Sequence, residues 1–253
     1  MSNIPAGEGR FSHSYSRYGK GGHIAIEHDN NQTRRKVQLV FAILCNLALF
    51  FMELWANHAL WQQHPVFKDL AIYYTNQSNF LALITSGVFI LVGIAKLFGD
   101  GRIPHVVKFF RFMTTVMLYI TFIVVLVGLG PMALFAGGDL YSMWGGPMFV
   151  MHLMGPLVSL LSFVCFEGTP RVGLGDAFLA VQYNYLYSIV MVILNAVGKV
   201  DGPYPFLMVD TNPVWLSILY AVILLPGAFL VALCGKWLNN GIACRLAGET
   251  DDL

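Results

Sequence analysis

With 57% of its 253 residues hydrophobic and only 11% charged, the chain lies far below the roughly 25% charged content of soluble domains, which excludes an ordinary water-soluble globule. Fifteen Lys and Arg nearly balance fourteen Asp and Glu, so the net charge of +1 provides no basic face for nucleic acid. Cys45, Cys165, Cys234 and Cys244 form no CxxC pair and suggest neither a disulfide framework nor a thiolate zinc site.

Residues 1–35 are rich in Gly, Ser, Asn and His with little to bury, and are expected to form a disordered cytoplasmic tail. A six-helix domain is then expected over 36–240. Crossing about 30 Å of hydrocarbon takes about 20 helical residues, and apolar runs of that length occur at 36–57, 71–98, 105–136, 147–166, 174–198 and 214–238. The first is long enough to span and is expected to be retained rather than cleaved as a signal peptide. Residues 241–253 form a second expected cytoplasmic tail. The expected fold is all-α: a polytopic membrane protein with six transmembrane helices and both termini cytoplasmic. Basic residues near span ends resist translocation. Thirteen Lys and Arg, among them Lys108 and Arg111, fall on the side of the termini, and only Lys68 and Lys199 on the other. Loops one, three and five are therefore expected outside.

Helix by helix, polarity gathers at the outer end. Glu53 is the one acidic residue well inside a predicted span and lies near the outer end of the first helix. The second helix opens with "YYTNQSN" (73–79), five uncharged polar side chains in unbroken succession. Residues three or four apart share a helix face, so Thr75, Ser78, Asn79, Ala82 and Ser86 form one stripe, with Asn76 beside it. Gln77, Ile84 and Phe89 point away. On the fourth helix, His152 stands five residues past Pro147, at the depth of Thr75, on a face with Gly155, Pro156 and Ser159. The fifth helix carries Asn184, Tyr187, Ser188, Met191 and Asn195. Trp55, Trp61, Trp144 and Trp215 are expected as an interfacial belt.

Small and hydroxylated stripes also arise from helix packing alone, a sufficient account of Ser86, Ser159 or Ser188 taken singly. His152 differs, because an ionisable side chain within a span points to function by default. A hydroxyl becomes a useful nucleophile when a base accepts its proton, and Thr75 with His152 is one such pair. Asn76, Asn79, Asn195, Ser78, Tyr187 and Glu53 are the candidates for substrate or oxyanion support. A site of this kind would take lipid esters, its partners being the ester substrate and bilayer lipid.

The motifs "YYTNQSN" (73–79), "MHLMGPLVSLL" (151–161) and "VDGPYPFLMVD" (200–210) resemble those of bacterial integral membrane proteins related to the androgen-induced and androgen-dependent TFPI-regulating proteins. The resemblance covers all six helices and omits the N-terminal tail. It implies a six-helix protein with cytoplasmic termini. Animal members hydrolyse fatty acid esters of hydroxy fatty acids with one Thr and one His, which by motif implies Thr75 as nucleophile and His152 as base, with no cofactor and no metal. The "NQSN" run and "GPYPFL" loop look like the bacterial branch, which implies an integral protein of a bacterial plasma membrane.

Two other functions fit the composition. One is a small-molecule or lipid transporter or binding protein, in which Pro156 and Pro226 would break helices. The other is a zinc-dependent intramembrane hydrolase built from Glu53, His58, His64 and His152, although these show no HxxxH spacing.

Overall fold

In the computed structural model of the chain, residues 16–135, 137, 141–168 and 170–248 are described. Among these residues, six helices are long and apolar enough to span a membrane. They are α1 (Ser16–Gln63, its spanning part Asp29–Gln63), α2 (Tyr74–Leu97), α3 (His105–Phe135), α4 (Pro147–Cys165), α5 (Leu174–Ala196) and α6 (Val214–Leu246). No strand occurs among the described residues. Pro104, Pro147 and Pro213 stand at the starts of α3, α4 and α6, where a missing N–H is tolerated and φ is already helical.

Part of each expected tail is helical. Helix α1 runs back to Ser16, through twenty residues of the expected disordered segment; residues 1–15 lie outside the described set. Once a spanning helix exists, extending it needs no new nucleus, so polar residues can prolong it. At the other end α6 continues to Leu246. There Ala243, Cys244 and Ala247 are buried, and Gln38 of α1 donates to the Ala243 carbonyl at 3.1 Å.

Helices α1 to α4 pack in a ring, with α1 against α2 and α4, and α3 against the same two. Gly93 lets α1 approach, since a Cβ there would meet Ile43 Cγ1 at 2.9 Å. Leu39, Ala42, Ile43, Phe89 and Ile90 form that seam. Phe89, expected to point away, is thus buried, because α1 covers a second face of α2. On the far side of α3, Phe112 and Phe163 stack at 5.3 Å among Ala177, Ala180, Ala228 and Ala232. Helix α6 is peripheral: 11% of its most apolar window is buried, against 44% for α3.

The end of the bundle opposite Thr75 is locked by charge. Arg111 Nη2 donates to Glu167 Oε1 at 3.0 Å, with both side chains essentially inaccessible. Asn46 of α1 and Ser162 of α4 donate to the same oxygen at 3.0 and 2.8 Å. Asn239 of α6 donates to the Phe163 and Glu167 carbonyls, and Lys108 to the Gly168 carbonyl at 2.7 Å. Lys108 and Arg111, counted from sequence as flanking topology charges, are 2% and 0% exposed. Their place in the first two turns of α3 resembles a solvated flank, but the turn after α4 folds back over them. Removing one partner of a buried pair costs about 3–5 kcal/mol. Accordingly, Arg111→Met and Glu167→Met should each unfold in detergent at markedly lower temperature, and the double substitution should recover part of the loss. Unchanged melting of the single variants would contradict the arrangement.

Candidate functional site

Thr75 is the second residue of α2. Its N–H belongs to the first helical turn, which has no donor-accepting carbonyl four residues back. The N-cap, Tyr73, supplies no side-chain bond. The partner comes instead from the 197–213 connection: Thr75 N–H donates to Tyr204 Oη at 3.3 Å, and Thr75 Oγ1 lies 3.3 Å from the same oxygen. Pro205 biases the preceding residue towards extended backbone, and Tyr204 has φ −136° and ψ 147°. Its ring stacks on Phe206 at 5.1 Å and meets Tyr73 edge-on at 6.1 Å. Burial pushes the Tyr204 phenol above its ordinary value, opposed by its bonds to the Thr75 hydroxyl and amide. It is therefore a neutral donor at neutral pH. Tyr204 was not among the residues expected from sequence, and the signal that could have found it was a tyrosine before proline in the third motif.

The rest of "YYTNQSN" fixes backbone. Ser78 Oγ and Asn79 Nδ2 both donate to the Thr75 carbonyl, at 2.9 and 2.7 Å. Ser78 also meets Thr121 of α3 at 3.3 Å, and Asn79 reaches the Met151 carbonyl of α4 at 3.4 Å. Asn76 and Gln77 donate to the Leu70 and Ala71 carbonyls at the end of the short helix Phe67–Ala71, and Tyr187 Oη donates to the next carbonyl, Ile72, at 2.7 Å. Asn195 holds the 197–213 connection by donating to Val200 O and accepting from the Asp210 N–H, both at 3.2 Å. The side-chain amides of Asn76, Asn79 and Asn195 and the Tyr187 hydroxyl thus all donate to backbone carbonyls.

His152 sits in an over-wide turn, Val150–Met154, in which Gly155 N–H bonds back five residues to Val150 O. Pro156 explains it: proline lacks the N–H that would bond the His152 carbonyl, and its ring crowds that carbonyl. His152 Nδ1 is 2.7 Å from the Met143 carbonyl. A carbonyl only accepts, so Nδ1 carries the proton and the neutral ring keeps its lone pair on Nε2. Trp144, expected in the interfacial belt, lies edge-on to this ring at 6.3 Å. Met143 and Trp144, ahead of α4, therefore hold the imidazole in place.

No hydrogen bond joins Thr75 to His152. Both instead line one cavity of about 330 Å³, together with Asn76, Tyr73, His64 and Asp69. That is roughly ten times the ~30 Å³ share of a liquid water, and apo catalytic geometries are commonly loose before substrate tightens them. Thr75 also lines a second cavity of about 200 Å³, between α2, α3, α5 and α6, where Tyr204, Thr121 and Tyr187 give way to aliphatic side chains such as Ile223 and Val231.

Glu53 does not line either cavity. It is fully buried on α1 with neither carboxyl oxygen hydrogen-bonded, its Oε1 against Gly155. His58 pairs with Gln62 at 2.9 Å, one turn along the same helix. Among the described residues no three His, Cys, Asp or Glu side chains converge on a point that could hold a metal.

A Cβ on Gly155 would collide with the Glu53 carboxyl and approach Val150 O at 3.1 Å. Gly155→Ala should therefore destabilise the fold by about 1–3 kcal/mol, the usual range for overpacking. Adding Glu53→Ala should relieve most of this, as measured by thermal unfolding in detergent; a Gly155→Ala protein as stable as wild type would rule the close approach out. Among known proteins, no family model, no curated protein and no solved structure matches the chain.

Proposed function

We propose that the chain is an intramembrane hydrolase of fatty-acyl esters, with Thr75 as nucleophile and His152 as base. The observation that carries this reading is the position of Thr75 in the common wall of two cavities, one shared with His152 and polar side chains, the other apolar. An ester carbonyl placed at Thr75 would send its acyl chain into the apolar cavity and its alcohol portion into the polar one. The resemblance of the three motifs supports the same pair. In the orientation that the Lys and Arg distribution favours, the site opens to the outer leaflet of a bacterial plasma membrane.

His152 Nε2 takes the proton of Thr75 Oγ1 as that oxygen attacks the ester carbonyl carbon. The tetrahedral intermediate collapses by breaking the bond to the alcohol oxygen, which leaves with the proton from His152. Water, deprotonated by the same imidazole, then attacks the acyl-threonine, and the fatty acid is released as Thr75 recovers its proton. With Tyr204 Oη–H donating to Thr75 Oγ1, 3.3 Å away, the threonine proton is free to pass to the base, and the phenol is a side-chain donor beside the reacting centre.

A fluorophosphonate probe should label the wild-type protein in membranes, should label Thr75→Ser, and should fail on Thr75→Ala. His152→Ala should lower kcat on a nitrophenyl ester by about 10²–10⁴-fold, the usual contribution of a general base. Equal labelling of Thr75→Ala and wild type would end the assignment. Tyr204→Phe keeps the ring packing and removes the hydroxyl; kcat should drop by up to about 10²-fold, and the melting temperature should fall modestly because the Thr75 N–H loses its acceptor.

A further inference from the structure

The apolar cavity adjoins a second apolar space. Through Ser188, Phe206 and Leu224 it shares its wall with a groove of about 480 Å³ between α5 and α6, lined by Ile189, Val192, Ile218 and Ala221. The reason lies in how the two helices pack. Helix α6 rests on the Leu174–Ala180 part of α5 but hardly touches Gln182–Ala196, so the pair is closed at one end and parted at the end nearer Thr75. Where they part, Pro226 removes a backbone donor from α6, and Tyr185 of α5 donates to the adjoining Leu225 carbonyl at 2.9 Å. Gly227 follows, lining the cavity, with no atom within 4 Å of where its Cβ would stand. Ile189, Ile193 and Ile218 along the groove are each more than half exposed, on helices that span the membrane.

Resting on the hydrolase reading above, we propose that the α5–α6 gap is a lateral portal through which one unbranched acyl chain of a bilayer ester reaches Thr75. A cavity of roughly 150 Å³ accepts a solute the size of benzene, so the 200 Å³ chamber holds a short stretch of a single chain and the remainder lies along the groove in contact with lipid. Thr75, Tyr204, Tyr187 and Thr121 gather at one end of the chamber, while Ser188, on the wall shared with the groove, is already bonded to the Asn184 carbonyl; this places the ester at the Thr75 end and the methyl end outward. The substrate class is an ester with a long, unbranched acyl part, and the selectivity is for chain width at Gly227 rather than for a fixed length.

Gly227→Phe tests this, because its side chain enters open space and glycine is the poorer helix former. The ratio of kcat/KM for nitrophenyl palmitate to that for nitrophenyl butyrate should fall by about 10-fold or more, the scale of a filled hydrophobic subsite. Leu91→Phe, on the exposed side of α2, should leave the ratio unchanged. Independently of turnover, methyl palmitate bearing a terminal diazirine should crosslink in Thr75→Ala membranes to peptides from 188–193 and 218–225, and Gly227→Phe added to that protein should suppress the adduct. An unchanged ratio, or crosslinks that fall elsewhere or persist with Gly227→Phe, would overturn the portal while leaving the hydrolase standing. Crosslinking at the gap in a protein that turns over no ester would retain the acyl site and remove the hydrolase.

Discussion

A guanidinium and a carboxylate, both shut off from solvent, hold together the end of the bundle opposite the site. Arg111 of α3 and Glu167 beyond α4 make a 3.0 Å pair, which by itself would be a poor investment, because desolvating two charges offsets most of their attraction. The surrounding donors change that balance. Asn46 and Ser162 bond to the same carboxylate oxygen, and Ser159 accepts from Arg111 at 3.3 Å while meeting Thr115 at 2.8 Å. Helices α1, α3 and α4 therefore share one polar network, and the length of α4 separates it from His152. At 1.5 Å per residue the fifteen positions from His152 to Glu167 span about 22 Å. The network fixes α3 and α4 at one end, which leaves the over-wide turn free to present the imidazole at the other.

A Gly-Pro pair recurs where the helices deviate. Gly155-Pro156 follows the turn bearing His152, and Gly130-Pro131 follows a second such turn at Val124–Leu129, where Gly130 N–H bonds Val125 O. In each the proline withdraws a donor and the glycine allows close approach, to the Glu53 carboxyl in the first case and to the Val125 carbonyl, 2.9 Å from where a Cβ would stand, in the second. The second over-wide turn contributes Val124 and Val125 to the apolar cavity. Proline chemistry thus shapes both chambers that meet at Thr75, with Pro226 shaping the far wall.

Much of this was legible in the sequence, for reasons that also explain what was not. Spans are set by runs of apolar residues, and the bounds of α3 to α5 follow the composition to within two residues. The stripe Thr75, Ser78, Asn79, Ala82 and Ser86 is buried, and Ile84 is 46% exposed, because three- and four-residue spacing fixes direction on a helix. What periodicity does not carry is the number of neighbours: Phe89 is buried because α2 is covered on two faces. Nor does sequence position near a span boundary distinguish a solvated lysine or arginine from one beneath a loop, which is why Lys108 and Arg111 read as flank charges. Tyr204 is a tertiary partner supplied by a connection, and no local pattern on α2 announces it.

The pairing of the Thr75 N–H with Tyr204 Oη has a consequence for assembly. A helix start is ordinarily completed by a residue beside it, and so forms with the helix. Here the partner is 129 positions away, beyond three further spans. The Thr75 N–H acquires its acceptor only after α5 is in place and Asn195 has drawn the 197–213 connection over it. The hydroxyl at the centre of the site is consequently set by one of the most non-local contacts in the chain, late in the order of folding, and a protein truncated before α5 would carry the residue without its geometry.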